Sequence, residues 1–209
     1  FSHIRAPYSF GAESPITDLD NFGREAAQAL EMQIQELGDH RVAAFIGEPI
    51  QGSGGMIIPP SSYWPEIQRI CKKYDILLIA DEVITGFGRT GRWFASERYD
   101  IKPDLMTLAK GLSSGYLPIS AVMVGDRVAE TIIHKGGEFE HGFTYSGHPV
   151  AAAVALENLR IIEDEKLIEN ADKVGTYLQE CLKDLENHPL VGEVRSEEHT
   201  SELQSRQVI

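Results

Sequence analysis

Short unbroken apolar runs alternate along this chain with stretches in which apolar residues recur every three or four positions. The runs at 42–46, 76–80, 105–109 and 119–124 have strand length and no period-two alternation, the pattern of strands buried on both faces. Phe22, Ala26, Leu30 and Ile34 mark one face of a helix that Asp20 caps and Gly38 ends. Ile67, Ile70, Cys71 and Tyr74 follow the i, i+3, i+4, i+7 spacing of a second helix packed on a sheet. A short helix is predicted near 93–99, and long helical stretches at 150–162 and 166–186. Pro7, Gly11 and Pro15 break any period in residues 1–20, which are predicted irregular.

The change of character near residue 150 suggests three parts. Residues 1–149 read as part of a main α/β domain, and 150–195 as linking helices and the start of a smaller C-terminal domain. Residues 196–209 form a polar, aperiodic tail that resembles translated read-through of a sequencing adapter and is expected to be non-native; the alternative is a natural disordered tail.

Composition narrows the function classes. A chain of 209 residues, 42% hydrophobic and 24% charged, is ordinary for a globular protein with a real core. The formal net charge of −13 argues against nucleic acid, whose phosphates need a basic face. No apolar run approaches the roughly 20 residues of a membrane span. Cys71 and Cys181 lie far apart without metal-type spacing, so a reduced, cytoplasmic setting is expected. His134, His141 and His148 recur every seven residues, which is not a metal-ligand spacing, and no metal site is expected.

The candidate chemistry lies between residues 76 and 111. One apolar run delivers Asp81-Glu82, and a second delivers Lys110, 29 residues after Asp81. That interval suits a strand–crossover–parallel-strand unit, which carries both strand ends to one sheet edge. An amine and a carboxylate there suit pyridoxal phosphate chemistry: lysine holds an aldehyde as a Schiff base, and aspartate holds the pyridine nitrogen protonated. Alone, a lysine after a buried strand is usually just the first solvated residue; it is the pairing with Asp81 that favours chemistry at Lys110. An apolar strand ending in Asp-Glu also fits an ATPase magnesium site, but no Gly-x-x-x-x-Gly-Lys-Ser/Thr loop lies upstream in this chain. Residues 86–91 match the dinucleotide fingerprint by letter, yet four residues separate the strand end from its first glycine and no long helix follows. They are read as an active-site loop. The hydroxyl- and glycine-rich segment 141–149 precedes a helix and is balanced between a phosphate contact and an ordinary loop.

Four motifs together, Glu48-Pro49-Ile50-Gln51-Gly52, residues 80–91, Ala109-Lys110-Gly111 and residues 143–149, resemble the class III aminotransferases in order and spacing. The resemblance covers roughly residues 1–195. Residues 115–118 and 60–65 look most like the amine–pyruvate and putrescine–pyruvate subset. The resemblance implies an aspartate-aminotransferase-like α/β fold (fold type I) with a mostly parallel sheet and a smaller α+β C-terminal domain. It implies pyridoxal 5'-phosphate as cofactor, with Lys110 as the Schiff-base lysine and catalytic base and Asp81 on the pyridine nitrogen. Val83 would pack on the ring face, and Glu48 would support the Asp81 end. Thr144 would reach the phosphate held mainly by the other subunit of a homodimer. The implied reaction passes an amino group from an amine or diamine to a keto acid such as pyruvate.

Departures from the family pattern sharpen this. Ser53 stands where ornithine-type members carry a glutamate, and Ile84 where the 4-aminobutyrate type carries glutamine. Both favour amine or diamine donors. The family's Gly-Ser phosphate loop and ring-stacking aromatic would lie before Phe1, and its substrate-carboxylate arginine after Arg195. The chain is thus expected to be the central piece of a longer enzyme, inactive by itself.

Overall fold

The structure, a computed structural model, describes residues 1–10, 16–197 and 200–205. Gly11 and Pro15, and residues 198–199 and 206–209 of the tail, lie outside the described residues. Helix α1 spans Leu19–Leu37 and ends at Gly38, whose φ of 87° is the left-handed conformation glycine adopts without strain. Its cap is Asp18 rather than the expected Asp20: the Asp18 carboxylate accepts the Asn21 N–H at 2.9 Å. Asp20 instead ties α1 to the entry of the next helix, its carboxylate accepting from Ser61 Oγ at 3.0 Å and its carbonyl from Ser62 Oγ at 2.7 Å.

Helix α2, Tyr63–Lys73, buries Tyr63, Trp64, Ile67, Ile70 and Cys71. It crosses α1 so closely that a Cβ on Gly23 would stand 2.2 Å from Ser62 Oγ. This is why the buried face of α1 is Gly23, Ala27, Leu30 and Ile34, while Phe22 and Ala26 are half-buried. The two helices cover Ile76 and Leu78 of the central strand region, forming the core with Ile101. Trp64 is buried and donates its indole N–H to the Pro49 carbonyl at 3.0 Å, so its polar atom is satisfied inside that core.

Four strands form one sheet in chain order: β1 Ala44–Gly47, β2 Leu77–Asp81, β3 Leu105–Leu108 and β4 Ala121–Val124. The first three are parallel and β4 runs antiparallel to β3, so the sheet is mostly parallel as expected. Two strand expectations are corrected. Ile46 of β1 is 54% exposed, and all four residues of β4 are exposed rather than covered on both faces. Both are edge strands, and among the described residues no helix covers β4. Helix α3, Ala95–Arg98, lies where a short helix was expected, whereas α4, Asp126–Lys135, was not foreseen; none of its residues is buried. Helices α5, Pro149–Asp164, and α6, Leu167–Lys183, follow.

Strand β5, Val191–Glu197, pairs antiparallel with β6, Thr200–Ser205, so part of the polar tail is strand rather than irregular. Arg195 anchors β5: its buried guanidinium lies 4.8 Å from the Tyr8 ring centre and donates to the Gly55 carbonyl at 2.7 Å and the Met56 carbonyl at 3.2 Å. No helix among the described residues is long and apolar enough to cross a membrane.

Two expectations follow from this core. Ile67→Ala removes a fully buried side chain and lowers unfolding free energy by about 2–5 kcal/mol, read from urea denaturation of the full-length protein. Burial, reinforced by the negative charge of Asp104, pushes the Cys71 thiol up to about 12, so almost no thiolate exists at neutral pH. Iodoacetamide near pH 8 therefore alkylates exposed Cys181 and spares Cys71 in the native protein, as peptide mass mapping will read.

Candidate active site

Parallel pairing carries three chemical groups to one sheet edge. Gly47 pairs with Ala80, so Glu48 leaves β1 level with Asp81 at the end of β2. Asp81 pairs in turn with Thr107 of β3, and Lys110 begins a tight turn two residues after that strand ends. The structure thus gathers Glu48, Asp81 and Lys110 at the carboxyl ends of adjacent parallel strands, where open α/β sheets bind ligands.

Asp81 is half-buried and held by one oxygen. Its Oδ1 accepts the Val83 N–H at 3.1 Å and the Thr107 hydroxyl at 3.0 Å. Neither bond uses Oδ2, which takes no hydrogen bond from a described residue. A carboxylate fixed in direction through one oxygen, with the other open, suits a ring N–H that needs a charged acceptor. Thr107 was missed in the sequence, although a lone hydroxyl in an otherwise apolar strand three residues before Lys110 is a usable sign. Glu48 accepts the Gly52 N–H at 3.0 Å through Oε2, closing the glycine-rich turn. A Cβ on Gly52 would stand 2.7 Å from Ile84 Cδ1, so that turn packs directly on the loop following Asp81.

That loop is clasped by Glu82, a fully buried carboxylate. Its Oε2 accepts from the Thr85 hydroxyl at 2.5 Å and the Ala95 N–H at 3.1 Å, and its Oε1 accepts the Ser96 N–H at 2.6 Å. Phe94, at the cap position of α3, has no acceptor on its side chain, so Glu82 satisfies the free N–H groups of that helix from across the loop. Glu97 reaches back to the Phe94 N–H at 3.1 Å. The glycines of residues 86–91 have a packing reason of their own: a Cβ on Gly91 would stand 2.9 Å from Asp172 of α6, and Arg92 pairs with Asp172 at 3.5 Å.

Lys110 is exposed and takes a φ of 40°, a left-handed conformation that costs a non-glycine residue on the order of 1 kcal/mol. The turn it opens is gripped from two sides. A Cβ on Gly111 would stand 3.0 Å from the Phe87 side chain, so the loop rests on the turn. From the other side, Asn158 of α5 donates to the Gly111 and Leu112 carbonyls at 2.9 and 3.1 Å.

Val83 follows Asp81 directly in space, its N–H on the carboxylate. Thr144 lies in the exposed turn 144–147, between exposed Phe143 and Tyr145, and is not buried against the Asp81–Lys110 edge. His148 caps α5 by accepting the Ala151 N–H on Nδ1 at 3.3 Å. A cleft of about 800 Å³ opens on the β1 side, lined by Phe1, His3, Ile34 and Glu48; neither Asp81 nor Lys110 lines it, so it is not the pocket this chemistry needs.

A family model described as aminotransferase class-III matches residues 3–199. Among curated relatives, a putrescine–pyruvate aminotransferase of Pseudomonas aeruginosa is 57% identical over 194 residues, covering 92% of this chain and 42% of that enzyme. A diaminobutyrate–2-oxoglutarate transaminase of Halomonas elongata is 51% identical over 199 residues, with the same coverage of 92% and 42%. An (S)-enantioselective omega-transaminase structure from Thermomicrobium roseum superimposes with a TM-score of 0.92 at 48% identity, covering 99% of this chain and 46% of that one. The chain therefore spans less than half the length of the relatives it matches.

Removing the clasp has a defined cost. Glu82→Ala leaves three donors without their acceptor and lowers unfolding free energy by about 3 kcal/mol or more. Denaturant unfolding of the full-length protein measures it.

Proposed function

This chain belongs to the class-III aminotransferase family, and from that membership we propose that the whole protein is a pyridoxal 5'-phosphate-dependent transaminase. It moves an amino group from an amine or diamine to a keto acid such as pyruvate. The observation that carries this reading is the parallel register that brings Asp81 and Lys110 to one sheet edge, with Asp81 Oδ2 open to a donor. When bound, the cofactor supplies an aldehyde that an amine can hold covalently and a ring that withdraws electrons from the bond being broken.

The residues of this chain divide that work. Lys110 Nζ would hold the aldehyde and, as a free amine, would move the proton at the donor carbon. Asp81 accepts the N–H of the ring nitrogen and, as an anion, keeps that nitrogen protonated. Thr107 and the Val83 N–H fix the carboxylate so that no reorganisation is needed when charge develops. Val83 covers one ring face, and Glu48 supports the same end of the ring through its turn. Thr144, exposed in one chain, serves the phosphate in the site of a second copy of a homodimer.

Donor choice follows from Ser53 and Ile84, which stand where ornithine-type members carry a glutamate and the 4-aminobutyrate type a glutamine, and so favour an amine or diamine over those two donors. The 57% identity with a putrescine–pyruvate aminotransferase supports a diamine donor. Residues 1–149 belong to the cofactor-binding domain and 150–195 lead into the C-terminal domain, while the tail from 196, although it pairs with β5, is non-native.

The test is chemical. Borohydride reduction of the full-length holoenzyme, followed by peptide mapping, finds the cofactor on Lys110; attachment to any other residue overturns the reading. Asp81→Ala keeps that attachment but lowers kcat with a diamine donor by roughly 100-fold or more, because the ring nitrogen loses its anionic partner.

A further inference from the structure

We propose that Asn158 is a positioning residue: its carboxamide holds the turn that begins at Lys110 and so sets where the Lys110 amine stands. The inference rests on the role given to Lys110 above, and deepens it.

Helix α5 is built of alanine, valine, leucine and isoleucine, with exposed Glu157, Arg160, Glu163 and Asp164 on its outer side. Asn158 is its one amide and is half-buried. Asparagine is a poor helix former, so its presence in the middle of this helix points to a task outside it. Nδ2 donates to two successive carbonyls, Gly111 at 2.9 Å and Leu112 at 3.1 Å, while Oδ1 accepts from Ser114 Oγ at 2.7 Å. Carbonyls only accept, so the side-chain amide has one orientation that satisfies all three bonds. A single planar group thus spans the turn from Gly111 to Ser114. The turn needs such a hold, since Lys110 sits at φ 40° and its own closing bonds, Leu112 N–H to Ala109 at 2.9 Å and Ser113 N–H to Lys110 at 3.3 Å, do not fix the lysine's direction. Aspartate at 158 has the same shape but no donor, and would set a carboxylate oxygen against two carbonyl oxygens.

The test compares full-length Asn158→Asp, Asn158→Ala and, on the exposed side of the same helix, Arg160→Ala, whose pairs with Glu157 and Asp164 do not reach the turn. In Asn158→Asp, kcat falls roughly 10- to 100-fold while KM for the amino donor changes less than about threefold. The pH midpoint of the bound cofactor's absorbance moves by about half a unit or more, because the amine no longer stands in the same surroundings. In apoenzyme, the amides of Leu112, Ser113 and Ser114 exchange hydrogen at least about tenfold faster. Asn158→Ala shifts each readout the same way but less, and decides the question should the aspartate variant not fold; Arg160→Ala moves none of them. Unchanged exchange in the apoenzyme overturns the clamp. Faster exchange with kcat and the absorbance midpoint unchanged overturns the positioning role. Exchange is read without cofactor, so a cofactor bond found away from Lys110 sinks the proposed function separately from the clamp.

Discussion

Parallel pairing between β2 and β3 is the constraint on which the site depends. Parallel strands need a long crossover, which carries the chain back to the opposite edge so that the second strand ends where the first one did, and two residues far apart in sequence emerge together. Asp81 opposite Thr107 is that pairing seen at its last rung. A slip of one residue would turn Asp81 to the opposite face and part it from the Thr107 hydroxyl. The slip is opposed by Leu78 and Ala80, which must stay buried, Leu78 in the core formed with α1 and α2. Burial of apolar side chains on one part of the strand thereby fixes the direction of a carboxylate at its end.

Around that edge the molecule spends buried and half-buried polar groups on loops rather than on the reaction. Glu82 gives both carboxylate oxygens to the loop and helix after Asp81, and Glu48 closes a glycine turn. Glycine at 91 stands where the α6 backbone comes too close for a side chain, and a Cβ at 52 or 111 would crowd the Ile84 or Phe87 side chain. The result is a set of short loops packed against one another, with α5 and α6 pressed on them from the C-terminal part of the chain. Preorganised groups of this kind act on developing charge without having to move.

The strands and helices that carry the site were legible because strand length, apolar runs and the interval between Asp81 and Lys110 are local properties. The parts that were not legible depend on the company a segment keeps. The run at 119–124 reads as doubly covered, but β4 lies at a sheet edge, and hydropathy does not tell an edge from a centre. Asp18 and Asp20 are equally good caps by type, and only the crossing of α2 assigns Asp20 to the serines. The interval between two strand ends singled out Lys110 and Asp81, and motif resemblance agreed; Thr107, Glu82 and Asn158 act through partners 13 to 47 positions away, which no local pattern brings together.

The bare flank of β4 has a practical consequence. Val122, Met123 and Val124 face solvent on a strand that, among the described residues, is bonded on one side only, so its other side offers unpaired backbone groups beside greasy side chains. Such a border recruits further strands from other molecules. The solubility of a molecule with such a border reports on how its sheet edge is met, and not only on the integrity of its core.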